Sequence, residues 1–487
     1  MLLKHYFTPK IAHSSYILGA SETCAVIDPR RDVQLYVDEA RVLGLRITHI
    51  IETHLHADFV SGHLDLAERT GAAIYCPADA NCAFGHVGLV EGDRIDLEHL
   101  RLDVLKTPGH TPEHLSYVVT DTSRSESPVG VFCGDTMFVG DVGRPDLFPG
   151  LARELASELY DSLHGKLLTL PDHVEIYPAH GAGSLCGRSM AAKWTSTVGY
   201  ERRHNPALQI ADREAFIDSL TSDMPPAPDH FRRCSDVNRD GPTLWQHLSE
   251  PARLDPLTLW RRLVENSSTL LDVRGYAAFS AQHIAGSLHI GLAGNFPTFA
   301  GWLLPAEQEL LLIADNHDDV EEATTWARRV GVDRVVAALE GGMSDWASAG
   351  LPTDQFPLVS VEDLHTRVLG EEPFVLLDVR ASNEFDDSHI AGAINVPAPD
   401  LRTRHGELSR EQSLTVVCST GNRSSMAASI LRRHGFANVG NVAGGMTGYS
   451  AAGYARRCTV CANPHGPKTS MVSKHRDSTN TQKEEQG

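Results

Sequence analysis

An internal repeat in the second half of the chain constrains the fold more than any other feature. LLDVRGYAAFSAQHIAGSLHI at 270–290 matches LLDVRASNEFDDSHIAGAINV at 376–396, and VVAALEGGMSDWASAGLP at 335–352 matches VGNVAGGMTGYSAAGY at 439–454. Asp272 of the first copy corresponds to Asp378 of the second, an offset of 106 residues. Each copy reads strand, turn and helix in a βαβ rhythm, which predicts two small doubly wound α/β domains.

The first ~200 residues have a different pattern. Strands are predicted at 16–19, 24–29, 47–54, 72–77, 102–110, 115–119, 129–135 and 173–180, and several end directly in His or Asp. Loops at strand ends, held by a rigid sheet, are where α/β scaffolds keep their chemistry. The chain of 487 residues is then expected to divide into a first domain at 1–205, a connector with one helix at 206–250, the two repeats at 251–354 and 355–456, and a polar tail at 457–487 whose composition predicts disorder. The overall class is α/β and α+β multidomain.

Net charge of −20 argues against nucleic acid or an anionic membrane as partner, since both select basic patches. Nine cysteines without dense spacing do not form a secreted disulfide framework, and no apolar run is long enough to span a bilayer. A cytoplasmic protein, assembling as a homo-oligomer, is expected.

The densest chemistry is THLHADFVSGH at 53–63, with His54, His56 and Asp58 at the end of a strand. TPGHT adds His110, CGDT adds Asp135 and YPAHG adds His180. Imidazoles and carboxylates delivered in that order to one end of a sheet can enclose a metal ion. This H-x-H-x-D pattern, followed by Gly-His, Gly-Asp and His-Gly, resembles the metallo-β-lactamase superfamily and implies an αββα fold. Phe59 stands where the pattern calls for a second-site histidine; its apolar ring cannot ligate, so the second metal site is expected to be crippled.

One metal held by two imidazoles and a carboxylate is the facial arrangement of non-haem Fe(II) oxygenases. Within the superfamily it resembles the persulfide dioxygenases, as does GDTMFVGDVGRPDL at 134–147. The resemblance implies one Fe(II) per chain at His54, His110 and Asp135, with His56, Asp58 and His180 as orienting neighbours or remnants of a second site. It also implies a low-molecular-weight persulfide, such as glutathione persulfide, and O2 brought together for oxidation to sulfite. The alternative is a zinc glyoxalase II-like thioesterase, which relies on the two-metal cradle that Phe59 disrupts. GAGSLCGR at 181–188 is smaller than the matching stretch of glutathione-specific relatives, and its Cys186 is a candidate sulfur relay.

In the second repeat, LTVVC at 414–418 runs into CSTGNRSS and an amphipathic helix. A thiol at a strand end and helix start meets inward-pointing amides and a helix dipole, both of which favour an anion. Cys418 is the expected nucleophile, Arg423 a fixed positive charge, and Ser419, Thr420, Gly421 and Asn422 the substrate loop. Phosphatases place five residues between their Cys and Arg; this loop has four, which suits a sulfur carried on the cysteine. With LLDVR, HIAGAINVP and AGGMTGY, the segment resembles rhodanese-type sulfurtransferases, which implies thiosulfate as a sulfur source. Asp378 and Arg380 are expected to buttress the loop.

The first repeat reads LLLIADNHDDVEEA at 310–323, where Asp315 is taken to fill the nucleophile's place. Acids repel thiosulfate, so this copy is expected to be inactive and structural. CTVC at 458–461 offers two further thiols, read as incidental. The whole order resembles bacterial metallo-β-lactamase/rhodanese fusions. A sulfane-sulfur carrier or sensor with an idle metal site remains a third reading.

Overall fold

The computed structural model describes residues 1–222, 224, 227–265, 268–370 and 373–457. Cys458, Cys461 and the tail lie outside the described residues. The chain forms two compact units. The first comprises Met1–Pro251, Asn295–Gln308 and Glu321–Val336; the second holds Ala252–Gly294, Glu309–Val320 and the chain from Ala337 onward.

Two six-stranded sheets face each other in the first unit. One runs Leu2–Thr8, His13–Gly19, Thr23–Ile27, Arg46–Ile51, Ala73–Pro77 and Val87–Leu89 in sequence order, antiparallel at first and parallel from Thr23–Ile27 onward. The other is ordered Ser196–Thr197, Glu175–Pro178, Gly130–Gly134, Leu115–Asp121, Leu100–Lys106 and Arg94–Leu97. Period-two alternation places side chains on both faces of each sheet. Leu115, Tyr117 and Val119 enter the core between the sheets with Leu18, Ile27 and Ile51, while Val118 packs outward with Leu159 and Phe216. Helices Gln34–Leu43 and His63–Thr70 cover the outer face of the first sheet. Ala152–Gly165 and Arg213–Thr221 cover the second, completing the αββα layers.

The expected connector is corrected here. It holds a second helix, His230–Asp240, and belongs to the first unit. That helix buries His230, Phe231, Cys234 and Asn238, one side of an otherwise charged segment. Its weak apolar signal and the turn-rich run before it hid it from the sequence reading. Two segments of the first repeat, Asn295–Gln308 and Glu321–Val336, also pack as part of the first unit. There the buried Arg31 pairs with Asp333 at 2.5 Å, and Arg329 pairs with Asp32 at 2.7 Å.

The two repeats build the same five-stranded sheet. The first is ordered Ala252–Leu254, Val335–Leu339, Leu310–Ile313, Thr269–Asp272, Leu288–His289. The second is Leu358–Val359, Val439–Val442, Leu414–Val417, Val375–Asp378, Ile394–Asn395, paired in parallel throughout. The inner strands Leu310–Ile313 and Leu414–Val417 are buried along their whole length, as sheets covered on both faces require.

Candidate functional sites

The metal-binding candidates gather where the first unit's strands end. His54 follows Arg46–Ile51; its Nδ1 meets the hydroxyl of Thr53 at 2.9 Å, and Asp28 fixes Thr53 through its amide. His110 donates its Nδ1–H to the carbonyl of Arg144 at 2.9 Å, which leaves Nε2 as the free lone pair. Asp135 lies at the end of Gly130–Gly134. Gly134, at φ +48°, lets the chain pass so close to His114 that a Cβ would sit 2.3 Å from its ring. His114 Nε2 accepts the amide of Asp135 at 3.0 Å.

The Nε2 atoms of His54 and His110 lie 3.8 and 3.3 Å from Asp135 Oδ2. Both are buried without a hydrogen-bond partner. Burial lowers both histidines below their ordinary range, so they present neutral imidazoles. Ligand atoms held at about 2.0–2.2 Å from one ion stand roughly this far apart. The three residues therefore fit a metal, and their orphaned nitrogens have no other use in the fold.

The three expected neighbours separate. His180 sits between two carboxylates, Nδ1 2.8 Å from Asp135 Oδ1 and Nε2 2.9 Å from Asp58 Oδ2. Burial alone lowers His180, but Asp135 and Asp58 outweigh it and raise it to about 10. His56 turns the other way, its Nε2 3.2 Å from Asp28 and 3.5 Å from Glu52. Phe59 is fully buried, with its ring 4.6 Å from that of His56 and 4.1 Å from that of His13. His13 has no hydrogen-bond partner at either nitrogen, and no motif announced it.

Cys186 joins Asp58 and His180 in a group whose ligand-capable atoms lie within 4.8 Å of one another. Burial first, then Asp58 and Asp135, push the Cys186 thiol well above its ordinary range, so it rests protonated.

Two residues that position this centre went unread in the sequence. Arg144, fully buried, donates its amide to the carbonyl of Cys186 and a guanidinium N–H to that of Leu185, and pairs with Asp146 at 2.7 Å. It ties the loop of Cys186 to His110. Asn238, on the unexpected helix, donates to the carbonyls of His56 and Phe59 at 2.8 Å each and accepts the amide of Ser61. One side chain thereby clamps the segment 56–61. Beside these loops opens a cavity of about 640 Å³, lined by Leu55, Ala57, Thr111, Glu113, Phe148 and Phe231 among others.

In the second repeat, Cys418 is 1% exposed at the end of Leu414–Val417. Its Sγ accepts the amide of Gly421 at 3.1 Å and the hydroxyl of Ser424 at 3.3 Å. Gly421 takes φ +105°, the turn that aims its N–H at sulfur. Met446 and Thr447 donate to the carbonyls of Cys418 and Ser419, fixing the loop from below. Thr420 is exposed, and Asn422 opens the helix Asn422–Arg433.

Arg423 does not hydrogen-bond the sulfur. It grips Glu384 through two bonds of 2.5 and 2.8 Å and reaches Ser419 Oγ at 2.6 Å. Burial raises the Glu384 carboxyl, but Arg423 and Ser419 outweigh it and hold it down to about 2. The expected fixed charge is therefore largely neutralised, and Arg423 shapes the loop. Asp378 and Arg380 form a buried clamp at 2.7 Å that also holds the carbonyl of Ser388.

The register corrects the reading of Asp315. Asp272 pairs with Ile313 as Asp378 pairs with Val417, so the residue after each strand is Ala314 in one copy and Cys418 in the other. Ala314 fills the nucleophile's place; Asp315 corresponds to Ser419 and is exposed. Alignment by charge shifts the copy by one residue.

Comparison with known proteins agrees with this architecture. The Metallo-beta-lactamase superfamily model matches residues 9–180, and the Rhodanese-like domain model matches 255–349 and 360–452. The persulfide dioxygenase ETHE1 of Mus musculus is 32% identical over 235 residues, 47% of this chain and 84% of its own length. A hydroxyacylglutathione hydrolase of Pseudomonas entomophila is 33% identical over 40% of this chain and 80% of its own length. The crystal structure of a metallo-beta-lactamase from Staphylococcus aureus superposes with a TM-score of 0.63 at 34% identity, covering 70% of this chain and 98% of that one. The chain belongs to the metallo-β-lactamase superfamily, with homologues among the persulfide dioxygenases, and carries two rhodanese-like domains after that fold.

Proposed function

We propose that the first unit oxidises a low-molecular-weight persulfide to sulfite with O2 at one iron, and that Cys418 transfers sulfane sulfur. The coarser reading, a sulfur-metabolism enzyme whose substrates are small sulfur compounds, is carried by the relatives and the rhodanese-like domains. The finer one rests on one observation: His54, His110 and Asp135 converge with unpartnered nitrogens, while His56 is diverted to Asp28 and Glu52 and Phe59 fills the space beside it.

His54, His110 and Asp135 would hold the iron, which would supply the redox chemistry for oxygen transfer to a persulfide brought next to it. Around it, the carbonyl of Arg144 fixes the His110 tautomer, and His180 steadies the Asp135 carboxylate. Cys186, beside Asp58 and His180, is assigned as a sulfur relay; because its thiol rests protonated, accepting sulfur there must be coupled to loss of that proton. At Cys418 the thiolate attacks the outer sulfur of thiosulfate, the S–S bond breaks and sulfite leaves. The resulting persulfide is received by the Gly421 amide and the Ser424 hydroxyl.

The hydrolase reading keeps one observation of its own, the second ligand group of Asp58, His180 and Cys186. Anaerobic loading of the full chain separates the two. Fe(II) protein given glutathione persulfide should bind one iron and consume O2, and Zn(II) protein should not. Full iron loading without O2 uptake on any persulfide overturns the proposal, whereas two metals per chain with thioester hydrolysis establishes the hydrolase.

A further inference from the structure

Outside the metal centre and the Cys418 loop, one pair of nucleophiles has no part in either chemistry. Cys76 is the last residue but one of the strand Ala73–Pro77, a single turn spans Ala78–Ala80, and Asn81 at φ +53° reverses the chain. This returns Cys82 over the strand end, with the two Sγ atoms 3.6 Å apart. Cys76 is buried at 2% exposure, while Cys82 is half-buried between exposed neighbours. One sulfur can therefore be reached from solvent, and the other waits behind it.

Asp79, Ala80 and Asn81, the residues between the two thiols, line the same cavity that Leu55, Ala57, Thr111 and Glu113 line beside the metal-binding loops. The amide of Ala83 is anchored on the carbonyl of Arg239, so the return of the chain is fixed by the helix His230–Asp240. The two thiols are in van der Waals contact, and the turn that joins them forms part of the wall of the cavity beside the metal-binding loops.

We propose that Cys76 and Cys82 form a dithiol that sulfane sulfur oxidises to a disulfide. The Cys82 thiolate attacks the outer sulfur of a persulfide RSSH; that S–S bond breaks, and the thiol RSH leaves. Cys82 now carries the sulfur as a persulfide. The Cys76 thiolate then attacks Cys82 Sγ, forming the Cys76–Cys82 bond and expelling the outer sulfur as hydrosulfide, which takes up the proton Cys76 gave. Overall RSSH and two thiols give one disulfide, RSH and hydrogen sulfide: the dithiol loses two electrons, and the sulfane sulfur gains them. The sulfur atoms need only close from contact to about 2.05 Å. Oxidation links the two ends of the segment 79–81, which lines the cavity, so the pair registers persulfide load beside that cavity.

This step needs no metal, so its outcome is separate from that of the O2-uptake experiment. Arg69 and Arg94 flank both cysteines, and no other Lys or Arg lies between them, so one tryptic peptide, 70–94, reports on the pair. The full chain is exposed anaerobically to disodium disulfide, alkylated with iodoacetamide and digested. The peptide should appear unalkylated and about 2 Da lighter than its reduced form, and dithiothreitol should restore two alkylatable thiols. In Cys76→Ser, Cys82 should instead keep the transferred sulfur, about 32 Da heavier before alkylation. Two alkylatable thiols at a dose that saturates Cys418 would overturn the proposal. So would a wild-type peptide that accumulates the Cys82 persulfide without closing the disulfide.

Discussion

The two rhodanese-like repeats keep one scaffold and differ at one loop. Their sheets share strand order, and their Asp–Arg clamps are alike: Arg274 to Asp272 and Arg380 to Asp378 both measure 2.7 Å, each guanidinium also holding a carbonyl of the following segment. Burial maintains these features, because a buried charge left unpaired is costly whatever the repeat does. The loop after the central strand obeys another constraint. In the second copy, 418–421 bends so that an amide and a hydroxyl point at Cys418 Sγ. In the first, 314–316 is one residue shorter, and Asn316 caps the helix by accepting the amide of Asp319. Glu384, which holds Arg423, corresponds to Ala278 in the first copy. The two copies thus share the scaffold and differ in the whole loop after the central strand.

The sharpest way to break this comparison is to exchange nucleophiles. Cys418→Ser should lower thiosulfate–cyanide sulfurtransfer by at least about a thousandfold while leaving persulfide-dependent O2 uptake in place. Adding Ala314→Cys to that variant should recover nothing, because its loop has neither the inward amide nor a counterpart of Ser424. Sulfurtransfer restored by Ala314→Cys would show that the scaffold suffices and the loop does not matter.

Scaffold equivalence makes the next prediction. Asp272→Asn and Asp378→Asn each leave a buried arginine without its partner and should each destabilise the fold by about 3 kcal/mol in denaturant titration. A large cost in one repeat and none in the other would show that the clamp of the tolerant copy had been relaxed along with its loop.

Glu384 should have a smaller effect, confined to the second copy. Glu384→Gln weakens the grip on Arg423 and should lower sulfurtransfer about tenfold, mainly in kcat. Its pH dependence has a definite sign. The carboxyl is held down to about 2, below its ordinary value, so its contribution is complete above the unfolded value near 4.3 and fades as pH falls toward 2. Wild-type loop stability should therefore decline across that acid window, and the Gln variant should lack this component. The matching position in the first repeat is already alanine, and Ala278→Glu should change nothing measurable.

How much of this was legible in the sequence follows from where the partners lie. His54, His110, Asp135 and Cys418 each sit in a short motif at a strand end, where the local chain displays the chemistry. The paired repeats were legible for a similar reason, since the 106-residue offset is written along the chain, whereas the two-sheet layering was implied only by the resemblance those motifs carry. Asn238 was not, because the carbonyls it clamps are about 180 residues away and its helix has a largely polar surface. Arg144 was visible as part of a motif, but its role depends on the loop of Cys186 folding back onto it. The slip at Ala314 had another origin. Acidic residues drew attention to Asp315, whereas sheet register, which sequence alone does not print, sets the correspondence.

The subtlest difference between the copies is Tyr276, and it brings a residue of the first repeat to the Cys418 loop of the second. It stands where the second repeat has Ser382, at the start of the helix Tyr276–Ala281. Its ring lies against Gly421, so close that a Cβ there would meet ring atoms at 3.0–3.2 Å. The same face is pinned by Arg432 to Asp354 at 2.5 Å and by the amide of His289 to Ser429 at 3.0 Å. The ring thus covers the residue whose N–H holds the sulfur. Tyr276→Ala should free that turn and raise the KM for thiosulfate about threefold, with kcat less affected, while Tyr276→Phe, which keeps the ring, should behave as wild type. Equal loss in both variants would move the effect from the ring to the hydroxyl. No loss in either would return the first repeat to a purely structural part.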